Sequence, residues 1–201
     1  MDIIYNLDLF SVMVCAISGA LISIKKDVDH FGIFVVAAVT GIGGGTMRDL
    51  FLGRLPVFWI TDNSYLVSII IGVIITLIFA RYFDRPILKK LLLIIDAFGL
   101  ALFTIIGTSI AMQYNHTALI CILMGMITGI GGGILRDILV NEVPFVLRKE
   151  IYATASLAGS TLYVSFREFE PITMMLISMA LVFAIRIIAI KKNISLPIRI
   201  R

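Results

Sequence analysis

One nine-residue pattern occurs twice in this chain, as Gly41-Ile42-Gly43-Gly44-Gly45-Thr46-Met47-Arg48-Asp49 and as Gly129-Ile130-Gly131-Gly132-Gly133-Ile134-Leu135-Arg136-Asp137. The copies are 88 residues apart, and each lies inside a long apolar run. Glycine costs about 1 kcal/mol relative to alanine within a helix, and a charge at the centre of a membrane helix costs about 2.5–3.5 kcal/mol on insertion scales. Neither a soluble core nor a simple membrane anchor has reason to hold both features twice. Repeated, charged and interrupted apolar segments point to a solute pathway across a membrane.

The bulk composition agrees. Of the 201 residues, 60% are hydrophobic and 15% charged, against about 25% charged in soluble domains. The mean hydropathy is +1.06. A length of 201 residues predicts a single membrane domain, 1–201. The net charge of +4 does not indicate nucleic-acid binding, because the basic residues fall in short clusters between apolar runs. Cys15 and Cys121 lie in apolar runs and read as small packing residues. His30 and His116 lack metal-ligand spacing, so no metal site is expected. No catalytic constellation or cofactor motif is visible, which argues against an enzyme. The glycine motif resembles a nucleotide loop only superficially, since no strand precedes it and no Lys-Ser/Thr follows it.

Seven spans are predicted, at about 20 apolar residues each: 7–24, 31–53, 64–81, 88–112, 117–140, 150–166 and 172–190. The first lacks a basic leader and a small-residue cleavage site, so it reads as a helix and not a signal peptide. The sixth is diluted by Thr154, Ser156, Gly159, Ser160, Thr161 and Ser165, as suits a helix packed closely on its neighbours. If every span crosses, Lys25, Lys26, Arg81, Arg85, Lys89, Lys90, Arg148, Lys149, Lys191, Lys192, Arg199 and Arg201 share one side. The other side holds only Arg54 and Arg167. The positive-inside rule then places the N-terminus outside and the C-terminus in the cytoplasm.

The 88-residue offset also pairs Asp8 with Asp96, Gly19 with Gly107, Thr40 with Thr128 and Pro56 with Pro144. Three spans per unit make the second unit enter the bilayer from the opposite side. The predicted fold is therefore all-α, a 3+3 inverted repeat (7–81 and 88–166) plus a seventh helix at 172–190. Gly43, Gly44, Gly45, Gly131, Gly132 and Gly133 are expected to break helices two and five, or alternatively to allow close helix contact. Arg48, Asp49, Arg136 and Asp137 would then sit at the mouths of a pathway, or lock the repeats together as ion pairs. Adjacent helical side chains diverge by about 100°, so each arginine is expected to pair across the repeats, with Asp8 and Asp96 as the candidate partners. Arg186 is expected to reach the cytoplasmic surface.

Two Gly-Ile-Gly-Gly-Gly-x-x-Arg-Asp copies in a chain of three plus three plus one spans resemble the prokaryotic branch of the TRIC family, the trimeric intracellular cation channels. Their duplicated domain is also labelled a glycine transporter. The resemblance covers nearly the whole chain. It implies a homotrimer in the prokaryotic inner membrane, among membrane lipids, with a pore in each protomer through helices two and five. It also implies permeation of potassium and sodium ions. Animal members carry a Lys-Glu-Val motif linked to phosphoinositide binding; this chain has none, so that regulation is not implied. An alternating-access carrier of a small amino acid such as glycine is the other reading, because inverted repeats serve both mechanisms.

Overall fold

The computed structural model describes residues 2–82, 85–148 and 151–192, and among these every regular element is a helix. They are α1 (Asp2–Lys25), α2 (His30–Phe51), α3 (Ser64–Ala80), α4 (Arg85–Met112), α5 (Ala118–Leu139), α6 (Phe145–Arg148), α7 (Ile151–Ser165) and α8 (Pro171–Lys192). Lys149, Arg199 and Arg201 from the charge distribution, and residue 150 of the expected sixth span, lie outside the described residues. Five helices, α1, α2, α4, α5 and α8, are long and apolar enough to cross a membrane. Helix α3 is apolar but has 17 residues, and α7 has 15. At 1.5 Å per residue, 15 residues reach only about 22 Å, short of a hydrocarbon core of about 30 Å. The four-residue α6 has no counterpart among the expected spans. Exposed Val67, Ile70, Ile71, Ile74 and Ile78 give α3 the apolar outer face of a membrane helix.

The two largest apolar clusters hold most of the helices together. One joins α1, α2 and α3 through Val12, Ala16, Ala37, Tyr65, Ile69 and Val73. The other joins α4, α7 and α8 through Leu100, Ile105, Ile106, Tyr163, Met175 and Val182. Helix α4 also packs on α1 and α5, and α2 packs on α5.

The two glycine segments do not interrupt their helices. Helices α2 and α5 run unbroken through both triplets, which corrects the expectation of broken helices. The physical reason lies in the solvent. In a bilayer a freed backbone group has no water to bond, so opening the helix costs several kcal/mol per group, more than the propensity cost of glycine. The glycines allow close approach instead. A Cβ on Gly44 would strike the Thr128 carbonyl oxygen, and one on Gly132 would strike the Thr40 carbonyl oxygen. The contact is reciprocal, since Thr40 and Thr128, like Gly44 and Gly132, stand 88 residues apart. The threonine hydroxyls are occupied within their own helices, Thr40 Oγ1 donating to Val36 O at 2.6 Å and Thr128 Oγ1 to Met124 O at 2.6 Å. Around the crossing, a Cβ on Gly19 would meet Thr40 and one on Gly107 would meet Thr128. Small residues thus close the α1–α2 and α4–α5 contacts as well, as expected where lipid removes the hydrophobic drive for helices to associate.

Gly44→Ala and Gly132→Ala are each expected to destabilise the protein by about 1–3 kcal/mol, the range for inserting atoms into a packed interface. Gly53 is the control: its φ is +67° and a Cβ there meets nothing, and Asn141 holds the equivalent place at φ +54°. Gly53→Asn should stay within about 0.5 kcal/mol of wild type. Thermal denaturation of the purified protein in detergent separates the outcomes, and an unchanged midpoint for both alanine variants would contradict the crossing.

Candidate functional site

Each glycine helix ends one turn after its Arg-Asp pair, and the two ends share one geometry. A left-handed residue stops the helix, Gly53 after α2 and Asn141 after α5. The amide of Arg54 bonds Asp49 O at 2.8 Å, and that of Glu142 bonds Asp137 O at 2.8 Å. The aspartate side chains then catch the returning chain: Phe58 N donates to Asp49 Oδ2 at 3.0 Å, and Phe145 N to Asp137 Oδ2 at 2.9 Å. Their other oxygens take the neighbouring guanidiniums, Arg48 Nε to Asp49 Oδ1 at 2.8 Å and Arg136 Nε to Asp137 Oδ1 at 2.8 Å. The captured phenylalanine closes each unit, with the Arg48 guanidinium 5.5 Å from the Phe58 ring centroid and that of Arg136 5.1 Å from Phe145. Such clamps suit an interior without water, because a buried guanidinium needs both a counter-charge and filled donors. All four charged residues are buried, at 1% exposure or less.

The expected cross-repeat ion pairs do not form. Each arginine pairs with its adjacent aspartate, because the long side chain curls back far enough for Nε to reach it. Arg136 additionally meets Asp96 at 2.5 Å, within its own half of the chain. Asp8 instead accepts from the Tyr65 hydroxyl at 2.9 Å. Arg136 does bond across the halves, but to a hydroxyl, Nη1 donating to Ser18 Oγ at 2.6 Å. Arg54 adds a weaker approach to Asp49 at 3.8 Å. Unfilled hydrogen-bonding capacity recurs in both halves: Asp8 Oδ1 and Arg48 Nη1 in the first, Asp96 Oδ2 and Arg136 Nη2 in the second, are buried without a hydrogen-bond partner.

The glycines fall between these clusters. Gly43, Gly44, Gly131 and Gly132 lie at the α2–α5 contact, a Cβ on Gly45 would strike the Phe58 ring, and one on Gly133 would come within 3.3 Å of the Tyr152 hydroxyl. One narrow gap is lined by Ser18, Thr40, Phe103, Asp96 and Gly132, and a second, too tight for a water molecule, by Ile134, Asp137, Phe145 and Val146. Gly133, Arg136 and Tyr152 belong to the walls of both.

Several contributors were not visible beforehand. Tyr65 holds Asp8 through its hydroxyl and Tyr152 stands beside Asp96 at Gly133, yet the two tyrosines are 87 residues apart, one short of the repeat, and so escape a fixed-offset comparison. Ser18 has no polar equivalent at Ile106. Arg186 is 3% exposed and does not reach the surface; its guanidinium lies over the Tyr152 ring at 4.6 Å. At the exposed end of α1, Asp62 accepts from the Tyr5 hydroxyl at 2.6 Å, and that bond holds its carboxyl below the usual range.

Known proteins are similar to this chain in sequence and fold. A family model described as "Glycine transporter" matches the chain twice, over residues 5–81 and 93–168. A "UPF0126 membrane protein" of Vibrio cholerae is 43% identical over 202 residues, covering 98% of this chain and 82% of that one. The "UPF0126 inner membrane protein YadS" of Escherichia coli K12 is 41% identical over 200 residues, covering 97% and 95%. The crystal structure of the TRIC trimeric intracellular cation channel orthologue from Rhodobacter sphaeroides superposes with a TM-score of 0.91 at 35% identity, over 96% of this chain and 100% of that one. A prokaryotic TRIC channel crystallised in 0.5 M KCl gives 0.89 at 33% identity, over 95% and 97%. With two matches to the family model spanning most of its length and this agreement in fold, the chain belongs to the glycine-transporter family, in its prokaryotic TRIC branch.

Proposed function

We propose that the chain is a passive channel for monovalent cations, potassium and sodium, in the bacterial inner membrane. It acts as a homotrimer with a pathway in each protomer. The observation that carries this reading is the likeness, along nearly the full chain, to solved structures of cation channels that are themselves trimeric. The pathway runs along the α2–α5 contact, bounded by Gly43–Gly45 and Gly131–Gly133 and by the two arginine clamps. In the same reading 7–81 and 88–166 form the inverted repeat and 172–190 the seventh helix, with the N-terminus outside. The reciprocal Gly44–Thr128 and Gly132–Thr40 contacts support an axis between two such units.

The clamps suit this task. A guanidinium facing the pathway would repel a potassium ion, so each must be neutralised or held aside. Asp49 does this for Arg48, and Asp137 with Asp96 for Arg136. The remaining carboxylate oxygens, Asp8 Oδ1 and Asp96 Oδ2, are acceptors that can replace part of a cation's hydration shell. With the arginines buried and the glycines in contact, this conformation is a shut one. The second reading, a carrier of glycine, takes its support from the description of the family model. An arginine beside a carboxylate could hold the two charged ends of an amino acid.

Vesicles containing the purified protein should exchange potassium for sodium down a gradient and accumulate no glycine. Saturable glycine uptake without cation flux would favour the carrier. Removing one partner of a buried pair costs about 3–5 kcal/mol, so Asp96→Asn should disturb flux or melting temperature far more than Asp62→Asn, whose half-buried carboxyl stands in the connection between α2 and α3 and has no ion-pair partner among the described residues. Arg48→Gln and Arg136→Gln should each change cation flux; if the double variant matched wild type in both flux and melting temperature, the clamps would have no part in the pathway. Cysteines placed at Asp2 and Lys192 should react with an impermeant reagent from opposite faces, and labelling from one face would refute the odd span count.

A further inference from the structure

Helix α8 lies outside both matches to the family model, yet it brings a charge to the interior. Arg186 lies in the last third of α8 at 3% exposure, with Nε lacking a hydrogen-bond partner. Burying an arginine in a membrane helix is costly whatever scale is used, so it needs a compensating contact. Tyr152 supplies one, with its ring centroid 4.6 Å from the guanidinium carbon. A desolvated cation over an aromatic face is worth more than an exposed one. The Tyr152 hydroxyl and Asp96 Oδ1 converge on Gly133, 3.3 and 3.9 Å from where its Cβ would stand, and Asp96 in turn holds Arg136.

The place of Tyr152 gives this chain a consequence. With Gly133 and Arg136 it forms the wall common to two narrow gaps, the second of them closed to water. We infer that Arg186 is a positioning residue: by gripping the Tyr152 ring it keeps that wall closed and holds Asp96 on Arg136, so that α8 latches the second half of the pathway shut. The first half has a different arrangement. Tyr65, which bonds Asp8, is backed by Phe58 at 4.6 Å and Tyr5 at 6.3 Å, two edge-on rings, where Tyr152 has a cation. The latch therefore makes the second half the controlling one. This rests on the channel reading of the same site.

Two variants test it. Arg186→Met keeps the reach of the side chain without its charge, and Tyr152→Phe keeps the ring without the hydroxyl. In planar bilayers each should raise the ratio of open to closed time by about fivefold or more, the scale of a desolvated cation–π contact, and Arg186→Met, which lies outside the pathway lining, should leave unitary conductance unchanged. The double variant should do no more than the larger single change, because both act through one contact chain. Arg186→Lys, which restores a cation over the ring, should return gating most of the way to wild type. Singles that lower the melting temperature but leave open probability within about twofold, or effects that multiply independently, would reduce Arg186 to a packing residue. A second readout needs no current. Cys15 lines the first gap, so in a Cys121→Ser background its reaction with a small thiol reagent should accelerate when Arg186→Met opens the wall, and slow again in Arg186→Lys. An unchanged rate overturns the latch. Wild-type protein that passes no current, yet shows this acceleration, overturns the channel reading and leaves the latch standing.

Discussion

The contact between α2 and α5 at Gly44 and Gly132 determines where everything else in this molecule can be. Lipid offers helices no hydrophobic reward for meeting each other, so association relies on close packing and on polar contacts. Glycine gives both here: it lets the backbones meet and places each helix against a threonine carbonyl of the other. One turn beyond the crossing stand Arg48 and Arg136. Because the crossing fixes both helices, it also fixes two guanidiniums inside a medium that cannot hydrate them.

The rest of the site answers that electrostatic demand. Asp49 and Asp137 each serve three purposes at once, as counter-ion, as acceptor for a backbone amide after the helix, and through their carbonyls as part of the helix stop. The halves then diverge. Arg136 gains Asp96 and Ser18, whereas Arg48 has the more distant help of Asp8, itself turned toward Tyr65. A duplicated sequence has thus produced two clamps of one design and unequal strength. An asymmetric pair of this kind is a means by which one end of a pathway can govern passage.

Much of this was legible in the sequence. The 88-residue offset located the paired clamps, and the apolar runs located the long helices within a few residues. What escaped had physical causes. Helical continuity through Gly43–Gly45 and Gly131–Gly133 could not be read from propensity, because propensity scales describe helices in water, where an opened turn can be rehydrated. The pairing of Arg48 with Asp49 defied the rule that adjacent residues diverge, since that rule concerns Cβ directions and arginine has four further bonds with which to turn back. Tyr152 hid behind a one-residue slip between the repeats, and Arg186 had no repeat equivalent from which its burial could be inferred.

The central claim is that this chain forms a pathway that ions cross passively once its clamps move aside, without one conformational cycle for each ion carried. Recording the purified protein in planar bilayers under a potassium chloride gradient tests that claim most directly. The account predicts discrete unitary current steps, far larger than a carrier's turnover could produce, reversing near the potassium equilibrium potential. The absence of steps at any voltage, together with saturable uptake of an amino acid by the same preparation, would contradict it.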